Sequence, residues 1–125
     1  MTPKRILVAD DDPFILDLYR TALEGHQYEI ESVTDGQEAF LAATSKPFDL
    51  VIMDIIMPNM NGIDSIRAIR KKHPQLPIII SSSFHDQFSE ALTELKVQCI
   101  LVKPVMITQL VRSVRDVIQA SEKKP

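Results

Sequence analysis

Cysteine is nearly absent from this sequence. Cys99 is the only one in 125 residues, so no internal disulfide can form and a reducing compartment is expected. Excess basic charge is also missing. Fourteen Lys and Arg stand against seventeen Asp and Glu, a net charge of -3, which argues against the basic face of a nucleic-acid binder. No apolar run approaches the roughly 18 residues of a membrane span. Met1-Thr2-Pro3-Lys4-Arg5 runs straight into the first apolar segment, without the long apolar stretch or small-residue cleavage site of a signal peptide. A cytoplasmic location with no membrane partner is therefore expected. Internal repeats, low-complexity tracts and internal linkers are absent too. The composition, 45% hydrophobic and 25% charged, is that of an ordinary globular chain and excludes intrinsic disorder. The length closes one hydrophobic core, so residues 1–125 are read as a single domain, either whole or cut from a longer chain.

Short apolar runs alternate with amphipathic stretches. Ile6-Leu7-Val8-Ala9 is too short and continuous for a helix and reads as a buried strand. Phe14, Ile15, Leu18, Ala22 and Leu23 follow at helical spacing, with Gly25 as a stop. Residues 28–33 form a second, more exposed strand. Asp35-Gly36 is a turn, and Ala39, Phe40 and Ala43 mark a short helix ending before Pro47. Leu50–Met53 is the third strand, and residues 57–62 are a loop by their proline and Asn-Gly content. Ile63, Ile66 and Ile69 belong to a helix closed by His73-Pro74. Residues 77–80 open a fourth strand, and a weakly patterned helix runs through Ala91, Leu92 and Leu95. Cys99–Val102 is the fifth strand. Leu110, Val111, Val114, Val117 and Ile118 give the last helix, and residues 121–125 a polar tail. Five strands alternating with five helices predict a doubly wound α/β fold, a five-stranded parallel sheet covered on both faces in a three-layer sandwich.

In such sheets ligands sit beyond the carboxyl ends of the strands. The first strand is followed by Asp10, Asp11 and Asp12, and the third by Asp54. After the fourth come Ser81, Ser82 and Ser83, and after the fifth Lys103 and Pro104. Three carboxylates within about 4 Å repel by roughly 4 kcal/mol per pair at an effective dielectric near 20. A hard, oxygen-preferring cation relieves that repulsion, and magnesium suits two or three carboxylates, a carbonyl and waters. Lysine and a hydroxyl beside such a cation fit a phosphoryl group, and an aspartate can itself be the nucleophile that receives it. Asp12, just before Pro13, reads as a helix N-cap. His26, His73 and His85 read as surface residues. Arg67, Arg70, Lys71 and Lys72 read as the solvated face of the third helix.

From about Lys4 to Ala120 the sequence resembles the response-regulator receiver domains of two-component signalling, a CheY-like, flavodoxin-like (βα)5 fold. Val8-Ala9-Asp10-Asp11 resembles the family's acidic pair. Asp54, in Met53-Asp54-Ile55-Ile56-Met57-Pro58 with Asn61-Gly62 after it, matches the phosphoacceptor. Ser82, five residues after Pro77, matches the hydroxyl position, and Lys103-Pro104 the lysine whose bond to proline is usually cis. The resemblance implies that Asp54 accepts a phosphoryl group from the phosphohistidine of a sensor histidine kinase or histidine phosphotransfer protein. It implies Mg2+, with Mn2+ as a substitute, held by Asp11, Asp54 and the backbone carbonyl of Ile56, and by Asp10 mainly through water. Lys103 and Ser82 would each bond a phosphoryl oxygen. The output would be a downstream effector domain or protein, bound through the face of the fourth helix, fifth strand and fifth helix. A phosphorylation-dependent homodimer is compatible with this. Self-catalysed transfer to its own aspartate makes the chain no turnover enzyme.

Departures from the family pattern bear on the output. Ile100 stands where the family has an aromatic, Lys96 where a glycine commonly ends the fourth helix, and Val105 where a phenylalanine often follows Lys-Pro. An aromatic rotamer switch is therefore not expected, and Phe84, two residues past Ser82, is expected to carry part of the coupling. Ile56 and Phe84 occupy the positions that decide dephosphorylation. Neither orients a water, so a long-lived phosphoryl state is expected. A phosphorylation-independent scaffold is the main alternative. A haloacid-dehalogenase-type phosphatase with Asp10 as nucleophile would need a longer chain. A flavin protein would need a hydroxyl- or glycine-rich phosphate loop after the first strand.

Overall fold

Each predicted apolar run forms a strand, and each amphipathic stretch returns the chain to the start of the next one. The computed structural model describes residues 2–83 and 85–123, residue 85 by its backbone alone. The strands are β1 (Arg5–Ala9), β2 (Glu29–Val33), β3 (Leu50–Met53), β4 (Ile78–Ser82) and β5 (Cys99–Val102). The helices are α1 (Pro13–Glu24), α2 (Gly36–Ser45), α3 (Gly62–Lys72), α4 (Ser89–Glu94, after a 3-10 turn at His85–Phe88) and α5 (Ile107–Glu122). All the strand pairs are parallel, in the order β2-β1-β3-β4-β5.

Strand alternation sends side chains to two separate cores. Leu7, Val51, Met53, Ile78 and Ile80 pack with Ala39, Ile66, Ile69 and Leu92 from α2, α3 and α4. Ile6, Val8, Ile52, Ile79 and Leu101 pack with Tyr19, Leu23, Leu110, Val114 and Ile118 from α1 and α5. This is the expected three-layer α/β sandwich. β2 is the more exposed strand, as its mixed sequence predicts. No helix among the described residues is long and apolar enough to cross a membrane.

Four local expectations are corrected. β4 begins at Ile78 and runs through Ser81 and Ser82, which are ladder residues and not a loop after the strand. α5 continues through Ser121 and Glu122, where a polar tail is expected, because polar residues after Ile118 do not end a helix that no proline or glycine interrupts. Gly25 caps α1 in a right-handed conformation. The left-handed residue after α1 is Gln27, at φ 69°. Phe14 opens the apolar spacing of α1 yet is 70% exposed.

Candidate functional site

The register levels the site. Ala9 pairs with Met53 across β1 and β3, so the next residues, Asp10 and Asp54, leave the sheet side by side at its switch point. Ser82 pairs with Val102 across β4 and β5, so Lys103 emerges next to Ser82. The Asp54 amide donates to the Ala9 carbonyl and the Lys103 amide to the Ser82 carbonyl, which fixes both backbones as they turn away.

Lys103 Nζ donates to Asp10 Oδ2 at 2.7 Å and to Asp54 Oδ2 at 3.0 Å. The second oxygen of each carboxylate is also held: the Asp12 amide donates to Asp10 Oδ1 and the Ile55 amide to Asp54 Oδ1. Asp10 and Asp54 are buried, whereas Asp11 is exposed. Oxygens of Asp10, Asp11 and Asp54 lie within 4.8 Å of one another, an all-oxygen donor set that could hold a metal ion. Burial raises the Asp10 pKa; the Lys103 and Asp12 hydrogen bonds oppose it only in part. For Lys103 burial acts downward, but the hydrogen bonds and charges of Asp10 and Asp54 outweigh it and hold the ammonium above its ordinary pKa. Lysine is therefore fully charged at neutral pH, against two facing carboxyl groups.

Ser82 is fully buried at the end of β4, and its side chain alternates with that of Ser81 across the sheet. The run of three serines is thereby sorted. Ser81 Oγ lies 2.8 Å from the Tyr19 hydroxyl on the α1 side, and Ser83 is exposed. The Lys103–Pro104 peptide is cis. Asp12 caps α1 through the Phe14 amide, as expected. Ile56, two residues after Asp54, is 48% exposed. Phe84 lies outside the described residues, as does the side chain of His85; His26 and His73 are exposed.

Two constellations escaped sequence reasoning. The turn residue Asp35 caps α2 through the Glu38 amide while its other oxygen accepts from Asn59 Nδ2 at 2.7 Å. With Gly36 N–H donating to the Met60 carbonyl and Ser65 Oγ donating to the Gly36 carbonyl, this ties the loop after Asp54 to the start of α2. The Asp-x-x-Glu spacing was the available signal for the cap, though not for the tie. Arg70, read as solvated, is half-buried. Its guanidinium donates to the carbonyls of Leu95 (2.8 Å), Leu76, His73 and Lys96, joining the end of α3 to the end of α4. No local pattern marks the partners Leu95 and Lys96, 25 and 26 positions away.

Glycine is required at two places around this loop. A Cβ at Gly62 would fall 2.0 Å from the Asp54 carbonyl oxygen, and one at Gly36 would fall 2.0 Å from that of Met60.

Comparison with known proteins agrees with this geometry. The family model for the response regulator receiver domain matches residues 6–115. The DNA-binding response regulator MtrA of Mycolicibacterium smegmatis is 32% identical over 123 residues, 98% of this chain and 54% of that protein. The chain spans about half the length of the curated relatives it matches first. A CheY-like receiver domain protein from Methanospirillum hungatei superposes with a TM-score of 0.95 at 26% identity, covering 99% of this chain and 100% of that one. TrrA from Thermotoga maritima, solved in complex with Mg2+ and BeF, gives 0.82 at 33% identity, covering 91% of this chain and 98% of that one.

Proposed function

The chain belongs to the response regulator receiver domain family, and from that premise we propose that it takes a phosphoryl group onto Asp54 from a phosphohistidine, in a magnesium-dependent reaction. The observation that carries this reading is Lys103 Nζ bridging Asp10 and Asp54 beside exposed Asp11. Asp54 attacks phosphorus, a P–O bond forms and the P–N bond breaks. The bonding pair returns to the imidazole nitrogen, which takes a proton. Asp11, Asp54 and the Ile56 carbonyl would hold the metal, with Asp10 reaching it through water. Bound magnesium would offset the charge of the carboxylates and the phosphoryl oxygens. Lys103 then pairs with one phosphoryl oxygen and Ser82 donates to another after a shift of the segment that follows β4.

The phosphoryl brings a charge of about -1.5 to -2. It biases the face of α4, β5 and α5 toward a second arrangement that a downstream effector domain or protein reads. Ile100 and Val102 leave an apolar β5 surface on that face, 38% and 48% exposed, without the family's aromatic. The donor is a sensor histidine kinase or a histidine phosphotransfer protein. Each transfer ends on the protein's own aspartate, so the chain does not turn over as an enzyme.

Acetyl phosphate with magnesium is expected to add one phosphoryl mass, mapped to Asp54 and lost in Asp54→Asn. An unchanged mass, or labelling at Asp10, would overturn the reading. Ile56, apolar and exposed beside the acceptor, supports a slow loss of the acyl phosphate. A purified phosphoprotein that decays faster than family members with polar groups at that position contradicts this part.

A further inference from the structure

The last two residues of β4 are held differently from the rest of the strand. Pairing with β3 ends at Met53–Ile80, because the chain turns away there to present Asp54. Ser81 and Ser82 continue past that point, laddered only to Leu101 and Val102 of the edge strand β5. A strand end with a neighbour on one side resists displacement poorly. A second tether comes from the opposite layer. Tyr19 of α1 reaches Ser81 Oγ at 2.8 Å, and both residues are 1% exposed. Aliphatic side chains would fill such a position against Ile79 and Leu101 without needing partners. Two buried hydroxyls are tolerated there because each satisfies the other.

Resting on the phosphoacceptor reading above, we propose that Tyr19 is a positioning residue for phosphoryl binding. Through Ser81 it pins the end of β4, so that Ser82 approaches the Asp54 phosphoryl about a fixed point. Ser82 is the next residue along the chain, and its side chain points to the other face. A pinned Ser81 therefore sets where Ser82 starts and how far its hydroxyl must travel. Burial raises the phenol pKa, with the Ser81 bond and Lys103 opposing and Asp10 and Asp54 adding to the rise. The tether is thus a neutral hydroxyl pair at every pH where the site works.

The test is titration of the 125-residue chain with beryllofluoride in excess magnesium, followed by amide resonances, with magnesium alone titrated in parallel. Ser81→Ala removes only an oxygen, and Tyr19→Phe removes the other. Each is expected to weaken beryllofluoride binding about fivefold, the net worth of one neutral hydrogen bond. Magnesium affinity without beryllofluoride stays within about twofold, because its carboxylate ligands follow β1 and β3 and not β4. The double variant is expected to be no weaker than either single one, since both break the same bond. Ser81→Thr, which keeps the hydroxyl, restores binding. Wild-type affinity for beryllofluoride in both single variants overturns the proposal. So does a parallel fall in magnesium affinity, which marks a general loosening of the site. A wild-type chain that gives no response to beryllofluoride overturns the phosphoacceptor reading itself, so the two failures are told apart.

Discussion

Removing the Asp35 carboxylate cuts two supports of the loop that follows Asp54 at once. One oxygen caps α2 and the other takes the Asn59 amide, so Asp35→Ala loses an N-cap and a charge-assisted tertiary bond. The cap is worth about 1 kcal/mol. The part-buried bond to the charged acceptor adds about 1 kcal/mol. The variant is expected to lose about 2 kcal/mol, a fall in Tm of roughly 10 °C for a chain of this size. Urea denaturation is the assay, read at constant m so that only the midpoint reports stability. Asn59→Gly is the matched partner, because Asn59 sits at φ 66°, where alanine would add backbone strain. It is expected to lose about half as much, and the double variant no more than Asp35→Ala alone. The pH dependence has a definite sign. The Glu38 amide and the Asn59 side chain hold the folded Asp35 pKa below 3.8. Its contribution is therefore complete above the unfolded value and drains away as pH falls through the folded one. The gap between wild type and Asp35→Ala is expected to be flat from about pH 7 to 5 and to narrow below about pH 4. A loss under about 0.5 kcal/mol, or a gap that widens in acid, refutes the reasoning.

Other perturbations follow from the same geometry. Gly62→Ala places a Cβ against the Asp54 carbonyl and is expected to cost about 1–3 kcal/mol in urea denaturation; a neutral effect would show that the loop absorbs the methyl freely. Arg70→Ala strips donors from the carbonyls of Leu95, Leu76, His73 and Lys96. It is expected to cost about 2–3 kcal/mol and to speed amide exchange at the end of α4; unchanged protection there would contradict the tie. Lys96→Gly relieves a side chain at φ 57° and is expected to raise stability by about 0.5–1 kcal/mol, whereas any loss of stability counts against the strain argument. Magnesium at about a hundred times its dissociation constant is expected to stabilise by about 2.7 kcal/mol; an unmoved Tm in the wild type, or equal stabilisation of Asp11→Asn, would remove Asp11 from the ligand set.

The sheet was legible because β1, β3 and the first half of β4 are short runs of buried aliphatics and β5 is a short apolar run, each set apart by helical spacing. The acidic and basic groups of the site were legible for a related reason: a parallel sheet delivers whatever follows its strands to one edge, so Asp10, Asp54 and Lys103 meet without further information. What escaped was pairing at a distance. Nothing local to Tyr19 announces a serine 62 residues on, and nothing local to Arg70 announces the carbonyl of Leu95. The three serines after Ile80 differ only by the parity of the strand, and that parity depends on how far β4 extends past its ladder with β3. Phe14 shows the converse limit, since it sits at apolar helical spacing and is nonetheless exposed.

The ammonium of the pocket rides on the outermost strand. β5 has a single neighbour in the sheet, while β1 and β3, which carry the carboxylates, are enclosed on both sides. Fraying at that flank removes Lys103 first and leaves the acids in place. On the proposed phosphoacceptor reading, affinity for a phosphate mimic is then expected to be lost under mild denaturant before affinity for divalent ions.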